Sequence, residues 1–596
     1  MGSRMIAVSC CLLCCTVAIS QVAPTYGNRP IDLLPKSHFA EPEDYMPWGE
    51  RPATEFELAL HLKDNFRVGD QGIERLCVIE ARRPEGGERA LRLALTKMDG
   101  EEVWSASGDW IGPNQRMRAV WLPVAAADLR LASAGEMLAR VDAPLGGGAP
   151  ELVPRPYRIR PATEVDAGLA LRSPLQSVSI LHEGPIPDIT FGASYADLRY
   201  TRPIKVGDET RTWDEIWSGS EKRDVVVSWP DSVARFVFWR GVNYVGCWAL
   251  PEAWLTYEWL EAEPDFYGAR GCVEPLQDKN CEHSKVEIIH SSPARVVVRW
   301  SYKLVDVDVR WIRGEHAEET FTFYPDGTGT RYLRAFVEPG WHENQEFIMI
   351  NRPGRRPSDA LDPQAITFYS PSGERQTPHW PKPGLDISDW PQVISIVNIK
   401  GGPRPFMVTP NAPRQVKMWA DPYIDKPDIF NCYPHWPLTR GMETSWLEDP
   451  ALYEHPTHSN LVNLVNDPIR ESDGEEDYVW LIGTVDRAAD VLDAARCWIE
   501  PGEVEVVAGR GTAEYSQAER AYVLAGVAPG EIVVTPAPDA PIVNPAFLVL
   551  GGMARGLIGT VEGAEETRVA VEGIRTIIWA KGTFAEPFRV RLEATD

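Results

Sequence analysis

Short runs of β-branched and aromatic residues, bounded by Pro, Gly, Asp or Ser, dominate the chain. Asp224-Val-Val-Val-Ser-Trp, Ala234-Arg-Phe-Val-Phe-Trp, Lys285-Val-Glu-Ile-Ile-His and Ala294-Arg-Val-Val-Val-Arg-Trp-Ser-Tyr read as strands, several of them alternating apolar and polar positions. Tyr324-Pro-Asp-Gly-Thr-Gly predicts a hairpin turn between two such runs, because Pro, Asp and Gly supply the turn dihedrals. Helical periodicity is scarce and predicts only short helices over Ala125–Ala139 and Ala488–Arg496. Later strand signals include Glu531-Ile-Val-Val-Thr and Thr576-Ile-Ile-Trp-Ala. No fixed period recurs, which argues against a propeller or solenoid.

This pattern predicts an all-β, multidomain protein, with a large central antiparallel β-sandwich flanked by smaller N- and C-terminal β domains. Arg4 precedes an apolar run from Met5 to Ile19, and Ala18 and Ser20 are small residues before Gln21. Residues 1–20 therefore read as a secretion signal, too short to span a bilayer. A lipid anchor at Cys10, Cys11, Cys14 or Cys15 is the weaker rival, and no later run reaches the ~20 apolar residues of a membrane helix. Residues 21–44 read as an extended leader and 45–145 as an N-terminal, Ig-like β-sandwich. Next come a Gly- and Pro-rich linker over 146–174, an aromatic-rich central sandwich over 175–504, and a C-terminal β domain over 505–596. The expected location is secreted or periplasmic, with no membrane insertion.

Composition narrows the partners. With 86 acidic against 60 basic residues, the net charge of −26 repels nucleic acid and anionic membranes. Export permits disulfides; Cys272 and Cys281, nine apart around turn-like residues, are the favoured pair, with buried thiols the alternative. No nucleophile elbow, phosphate loop or zinc-protease motif is present.

Two features suggest carbohydrate chemistry. Fifteen of the 22 tryptophans lie between Trp213 and Trp446. Within Phe238–Glu261, Trp239, Trp248, Trp254 and Trp259 are interleaved with Arg240, Asn243, Tyr244 and Glu258. Indoles stack on sugar faces while Arg, Asn and Glu meet hydroxyls and carboxylates; packing in a Trp-rich core is the plainer account of any single indole. Second, eight of the 11 histidines fall between His283 and His458, with His435, His455 and His458 in Pro-rich segments. Histidine is the usual proton carrier near neutral pH, although packing or surface roles are commoner for any one of them. No carboxylate spacing supports a metal site built from these three, so none is assigned.

Several segments together resemble a family of exported bacterial β-sandwich enzymes, the ulvan lyases of polysaccharide lyase family 40. They are Phe236-Val-Phe-Trp-Arg-Gly-Val-Asn-Tyr, Gly271-Cys-Val-Glu-Pro-Leu-Gln-Asp-Lys, Ala294-Arg-Val-Val-Val-Arg-Trp, Asn431 to Pro437, Pro456-Thr-His-Ser-Asn-Leu and Ile542-Val-Asn-Pro-Ala-Phe. The resemblance covers about 190–596 and departs from the family pattern where Cys432, Tyr433 and Pro434 separate Asn431 from His435. It implies β-elimination at a uronic acid in an extracellular polysaccharide. Arg240 would neutralise the carboxylate, with Asn431 or Asn243 assisting. His458 or His435 and Tyr244 would act as base and acid, and Trp239, Trp248, Trp436 and Glu258 would line the groove. No redox cofactor is required, and a structural divalent cation is compatible with this chemistry. The alternatives are a non-catalytic carbohydrate-binding protein and a glycoside hydrolase pairing carboxylates among Glu258, Glu261, Glu274 and Asp278.

Overall fold

The computed structural model describes side chains from 190 to 594, apart from 199–223, 263–271, 306–310, 420–427, 433–456 and shorter breaks. Strands between 57 and 157 are described at backbone level. The predicted signal over 1–20, His435, Trp436 and His455 lie outside the described residues.

The protein is all-β, built from several mostly antiparallel sheets. At the N-terminal end, strands between 57 and 157 form a three-stranded and a five-stranded sheet. Met137–Ala143 is a strand of the latter, so the last residues of the helix expected over Ala125–Ala139 are extended instead. Pairing with Arg92–Lys97 satisfies their backbone groups and overrides a weak local helical preference.

Two large sheets follow. The first has nine strands, of which Asp224–Ser228, Arg235–Phe238, Gly246–Ala249, Ala253–Thr256, Glu346–Asn351 and Thr457–Asn466 lie side by side in that order. The second has ten, centred on Val296–Val305, Trp311–Phe323, Thr328–Phe336 and Glu475–Val485. The expected hairpin turn joins Trp311–Phe323 to Thr328–Phe336: Gly327 takes the left-handed φ of 79°, and Asp326 Oδ1 accepts from the Thr328 amide at 3.1 Å.

The two sheets meet through aromatic side chains. Phe236, Phe238 and Trp248 of the first face Phe321 and Phe323 of the second. Ring centroids are 5.2 Å apart for Phe236–Phe321, 4.8 Å for Phe236–Phe323, 5.1 Å for Phe238–Phe321 and 5.9 Å for Trp248–Phe323. Gly246 pairs with Phe238 at this seam, where a β-carbon would fall 2.7 Å from the Phe236 ring and 3.1 Å from that of Phe321.

The helix Ala488–Ile499 forms as its periodicity predicts and buries Val491, Ala494, Ala495 and Trp498. Behind it a four-stranded and a five-stranded sheet enclose a smaller core that includes Ile532, Val534, Phe547, Val549, Ile578 and Val590. This unit is fastened to the central hairpin turn. Asp326 Oδ2 accepts from Arg520 at 3.1 Å and from Asn544 at 2.9 Å, and Thr330 Oγ1 donates to the Ala518 carbonyl at 2.6 Å.

Cys272 and Cys281 do not form the expected disulfide. Both are thiols, Cys272 exposed and Cys281 buried, with Cys281 Sγ donating to the Arg240 carbonyl at 3.0 Å. Among the described residues no helix is long and apolar enough to cross a membrane.

The seam generates a stability prediction. Phe321→Ala should cost about 3–5 kcal/mol by leaving a void, and Gly246→Ala about 1–3 kcal/mol by overpacking. Denaturant unfolding monitored by tryptophan fluorescence checks both.

Candidate functional site

The register of the first sheet decides which side chains share a face. The row Phe236–Trp248–Leu255–Met349–Ser459 is formed by directly paired residues, and its aromatic members point into the seam. Side chains alternate along each strand. The adjacent row, Arg235–Ala249–Trp254–Ile350–His458, therefore lies on the opposite, outer face. The row beyond it, Val237–Cys247–Thr256–Ile348–Asn460, shares that face.

This alternation separates the aromatic residues expected to line a groove. Trp248 is wholly buried in the inner row, its Nε1 donating to Tyr257 Oη at 2.9 Å. Trp254 and Trp239 belong to the outer face and meet edge to face with centroids 6.3 Å apart. The Trp239 indole also donates to the Leu198 carbonyl at 3.3 Å.

Arg240, Asn243 and Tyr244 do come together, in the turn after Phe238. Arg240–Val242 forms one 3₁₀ turn, and both Asn243 and Tyr244 adopt left-handed φ, 55° and 63°. The turn is buried. Asp224 Oδ2 accepts from Arg240 Nη1 at 2.5 Å and from the Leu198 amide at 2.7 Å, while Oδ1 accepts from the Arg240 amide at 2.7 Å. The Asn243 amide group donates to the Asp278 carbonyl and to Ser284 Oγ, the latter at 3.0 Å. Burial, reinforced by Cys281 and Asp224, pushes the Tyr244 phenol well above its ordinary pKa. Arg240 thus has a built-in carboxylate partner and serves as the pin of a turn.

His458 lies elsewhere. It is buried, four strands across from Arg235, roughly 19 Å at the usual strand spacing. Arg240 is farther still, beyond the opposite end of the Arg235–Phe238 strand. The structure does not bring His458 together with Arg240 and Tyr244. Asn431 is buried beside the His458 strand, its Oδ1 accepting from the Asn460 amide at 2.8 Å.

Two arginines that the sequence pattern did not single out belong to the His458 face. Arg235 starts its strand in the outer row. Arg352 follows the strand Glu346–Asn351 with the same parity as Ile350 and reaches back to the Leu250 carbonyl, 3.3 Å from its Nη2. Burial, and next the Arg352 charge, hold the Arg235 guanidinium below its usual pKa. A polar residue recurring on an otherwise apolar strand, as in Ala234-Arg-Phe-Val-Phe, is the signal that could have found Arg235.

Glu258 is not on this face. It is buried with a left-handed φ of 70° and joins Glu343 and Glu346, each offering an oxygen within 4.8 Å of the others. Burial first, then Glu343 and Glu346, raises its pKa well above the carboxylate range. Glu261 pairs in register with Glu343, and burial first, then the charge of Glu274, raises the Glu261 pKa. Three of the four acids considered for hydrolysis are thus neighbours. Asp278 instead accepts from the His283 amide at 2.7 Å, near the Arg240 turn. The Glu258–Glu343–Glu346 cluster is tighter than the roughly 5–10 Å that separates the carboxyl groups of a glycosidase.

The fold and these clusters define a large two-sheet β-sandwich protein whose first sheet carries Arg235, Thr256, His458 and Asn460 among apolar residues on the face opposite the aromatic seam, most of them buried. The chain matches no protein-family model and no curated protein.

The turn gives its own prediction. Arg240→Ala leaves Asp224 buried with its charge uncompensated, so stability should drop by about 3–5 kcal/mol. Denaturant unfolding measures this loss; unchanged stability would show that the pair is not structural.

Proposed function

We propose that the protein is an exported polysaccharide lyase that cleaves a uronic-acid-containing, ulvan-like polymer by β-elimination, and that the outer face of the first sheet is its site. The observation that carries this reading is that Arg235, Trp254, His458 and Asn460 share the face of the first sheet opposite the aromatic seam, with Arg352 just past the end of one of its strands. A uronate carboxylate binds an arginine guanidinium through two hydrogen bonds. Trp254 supplies an indole for a sugar face. The resemblance in the His458 segment supports the same reading.

In such a site Arg352, at the end of the strand next to His458, neutralises the carboxylate and so acidifies the C5 proton, while Arg235, four strands from His458, meets a more distant anionic group of the polymer. His458 removes that proton; the C5–H electron pair becomes the C4=C5 double bond, the C4–O4 bond breaks, and the departing oxygen takes up a proton. The carboxylate role moves from Arg240, which lies farther from His458, to Arg352 at the end of the strand beside it.

Incubation with a panel of uronic-acid polymers tests the reading. The unsaturated product absorbs in the ultraviolet, a hydrolase releases reducing ends without that absorbance, and a binding protein releases neither. His458→Ala should lower turnover by about 10²–10⁴-fold and Arg352→Ala should chiefly raise KM, each assayed at a temperature where its unfolding curve shows the variant folded. Full activity in both variants would remove this face from the reaction.

A further inference from the structure

The glutamate cluster at the other end of the same strands calls for an occupant. Glu346 opens the strand that ends at Asn351, so it lies about 20 Å from Arg352 along that strand. Its partners come from two connections: Glu258 follows the strand Ala253–Thr256, and Glu343 lies in the short bridge with Glu261. Glu258 is 4% and Glu346 3% exposed, while Glu343 is half-buried and opens the cluster toward solvent. Glu258 Oε2, Glu343 Oε1 and Glu346 Oε1 make no hydrogen bond of good geometry among the described residues, although the Glu258 carboxyl and the Trp419 indole stand close enough to Glu346 to hold its pKa down in part. Buried carboxylate oxygens left in this state are costly unless something positive sits among them.

The neighbouring cations among the described residues do not fill that place. Arg331 runs beside Glu258, but its Nε and Nη2 bind Glu319 at 2.6 and 3.0 Å and its Nη1 binds the Tyr257 and Asn344 carbonyls, both at 2.9 Å. Lys417, whose ammonium lies over the Trp419 ring 3.6 Å from the centroid, offsets part of the charge of Glu343 and Glu346 and leaves the third carboxylate, Glu258, to be met.

We propose that Glu258, Glu343 and Glu346 bind a calcium ion that ties the connection after Thr256 to the start of the strand Glu346–Asn351. The donors are all carboxylate oxygens, which select a hard cation. Calcium bonds of roughly 2.3–2.6 Å place opposite ligands about 5 Å apart. Oxygens within 4.8 Å of one another are close enough for one such ion to bridge them after small side-chain adjustments. Magnesium is the poorer fit, because it demands a regular octahedron and sheds its waters reluctantly. Glu343, nearest solvent, provides the entry, and water completes the shell. The ion acts as a clamp on the edge of the sandwich and does not depend on the lyase reading.

The test uses the full chain, stripped with EDTA and titrated with calcium while its melting temperature is followed. Binding to the folded state alone should raise the midpoint by roughly 5 °C at a calcium concentration about a hundredfold above Kd. Terbium should show tryptophan-sensitised luminescence that calcium displaces and magnesium displaces far less. Glu346→Gln and the half-buried Glu343→Gln should each weaken calcium binding on the order of tenfold or more. If Glu346→Gln fails to fold, Glu343→Gln and the EDTA comparison decide the matter by themselves.

Protons are the competing neutraliser. Carboxyls with raised native pKa values contribute stability that is full below their unfolded values and is lost as pH rises. In that case calcium and EDTA leave the midpoint unchanged, the metal-free protein loses stability as pH rises above the ordinary carboxylate range, and both Gln variants are more stable than wild type. That set of results overturns the calcium site, whatever the assays for unsaturated product show.

Discussion

The contact between Phe236, Phe238 and Trp248 on one sheet and Phe321 and Phe323 on the other is the constraint from which the rest follows. Five large rings buried together remove a large apolar surface from water, and they fix which face of the first sheet is inside. Because a strand has a period of two, that choice also fixes the outside. Arg235, Trp254 and His458 are outward residues only because Phe236, Trp248 and Ser459 are inward ones. Sliding any of these strands by one residue would exchange the two sets and drive polar side chains into an aromatic core.

Buried charge is the second organising element, and it appears in two opposite states. At Arg331–Glu319 and Arg240–Asp224 a guanidinium and a carboxylate are matched and hydrogen-bonded, so the cost of leaving water is offset by good geometry. The same holds at Asp326, whose carboxylate gathers Arg520 and Asn544 and so joins the C-terminal sheets to the central hairpin. The Glu258–Glu343–Glu346 cluster is the reverse, three carboxylates with oxygens left unbonded. Matched pairs hold the fold; the unmatched cluster is where we place a cation from outside the chain.

The likeness to polysaccharide lyases rests on short segments, and the structure shows why such segments mix roles. Phe236 to Tyr244 contains an inward aromatic pair, an outward Val and Trp, and a buried turn pinned by Arg240. Pro456 to Leu461 alternates Thr457 and Ser459, which Asn351 ties together, with outward His458 and Asn460. A motif that looks uniform along the chain is thus divided between packing and site.

Strand composition, turn residues and the one amphipathic helix were readable directly, because each depends on neighbours a few positions away. The strands at Asp224–Ser228, Val296–Val305 and Arg575–Lys581, the turn at Gly327 and the helix from Ala488 all follow from local propensity and periodicity. Which tryptophans would be core, which arginine would be occupied and which glutamates would meet could not be read that way. Trp248 and Trp254 are alike in composition and context and both are buried, and only the position of the second sheet puts Trp248 in the aromatic seam and Trp254 on the opposite face. Arg240 became a structural pin because Asp224, sixteen residues before it, lies under its turn. Glu258 and Glu346 are separated by the hairpins of the second sheet, and their meeting is a product of sheet closure. Local sequence determined the elements; long-range strand pairing decided the faces, since register and side-chain parity are properties of a sheet and not of any strand alone.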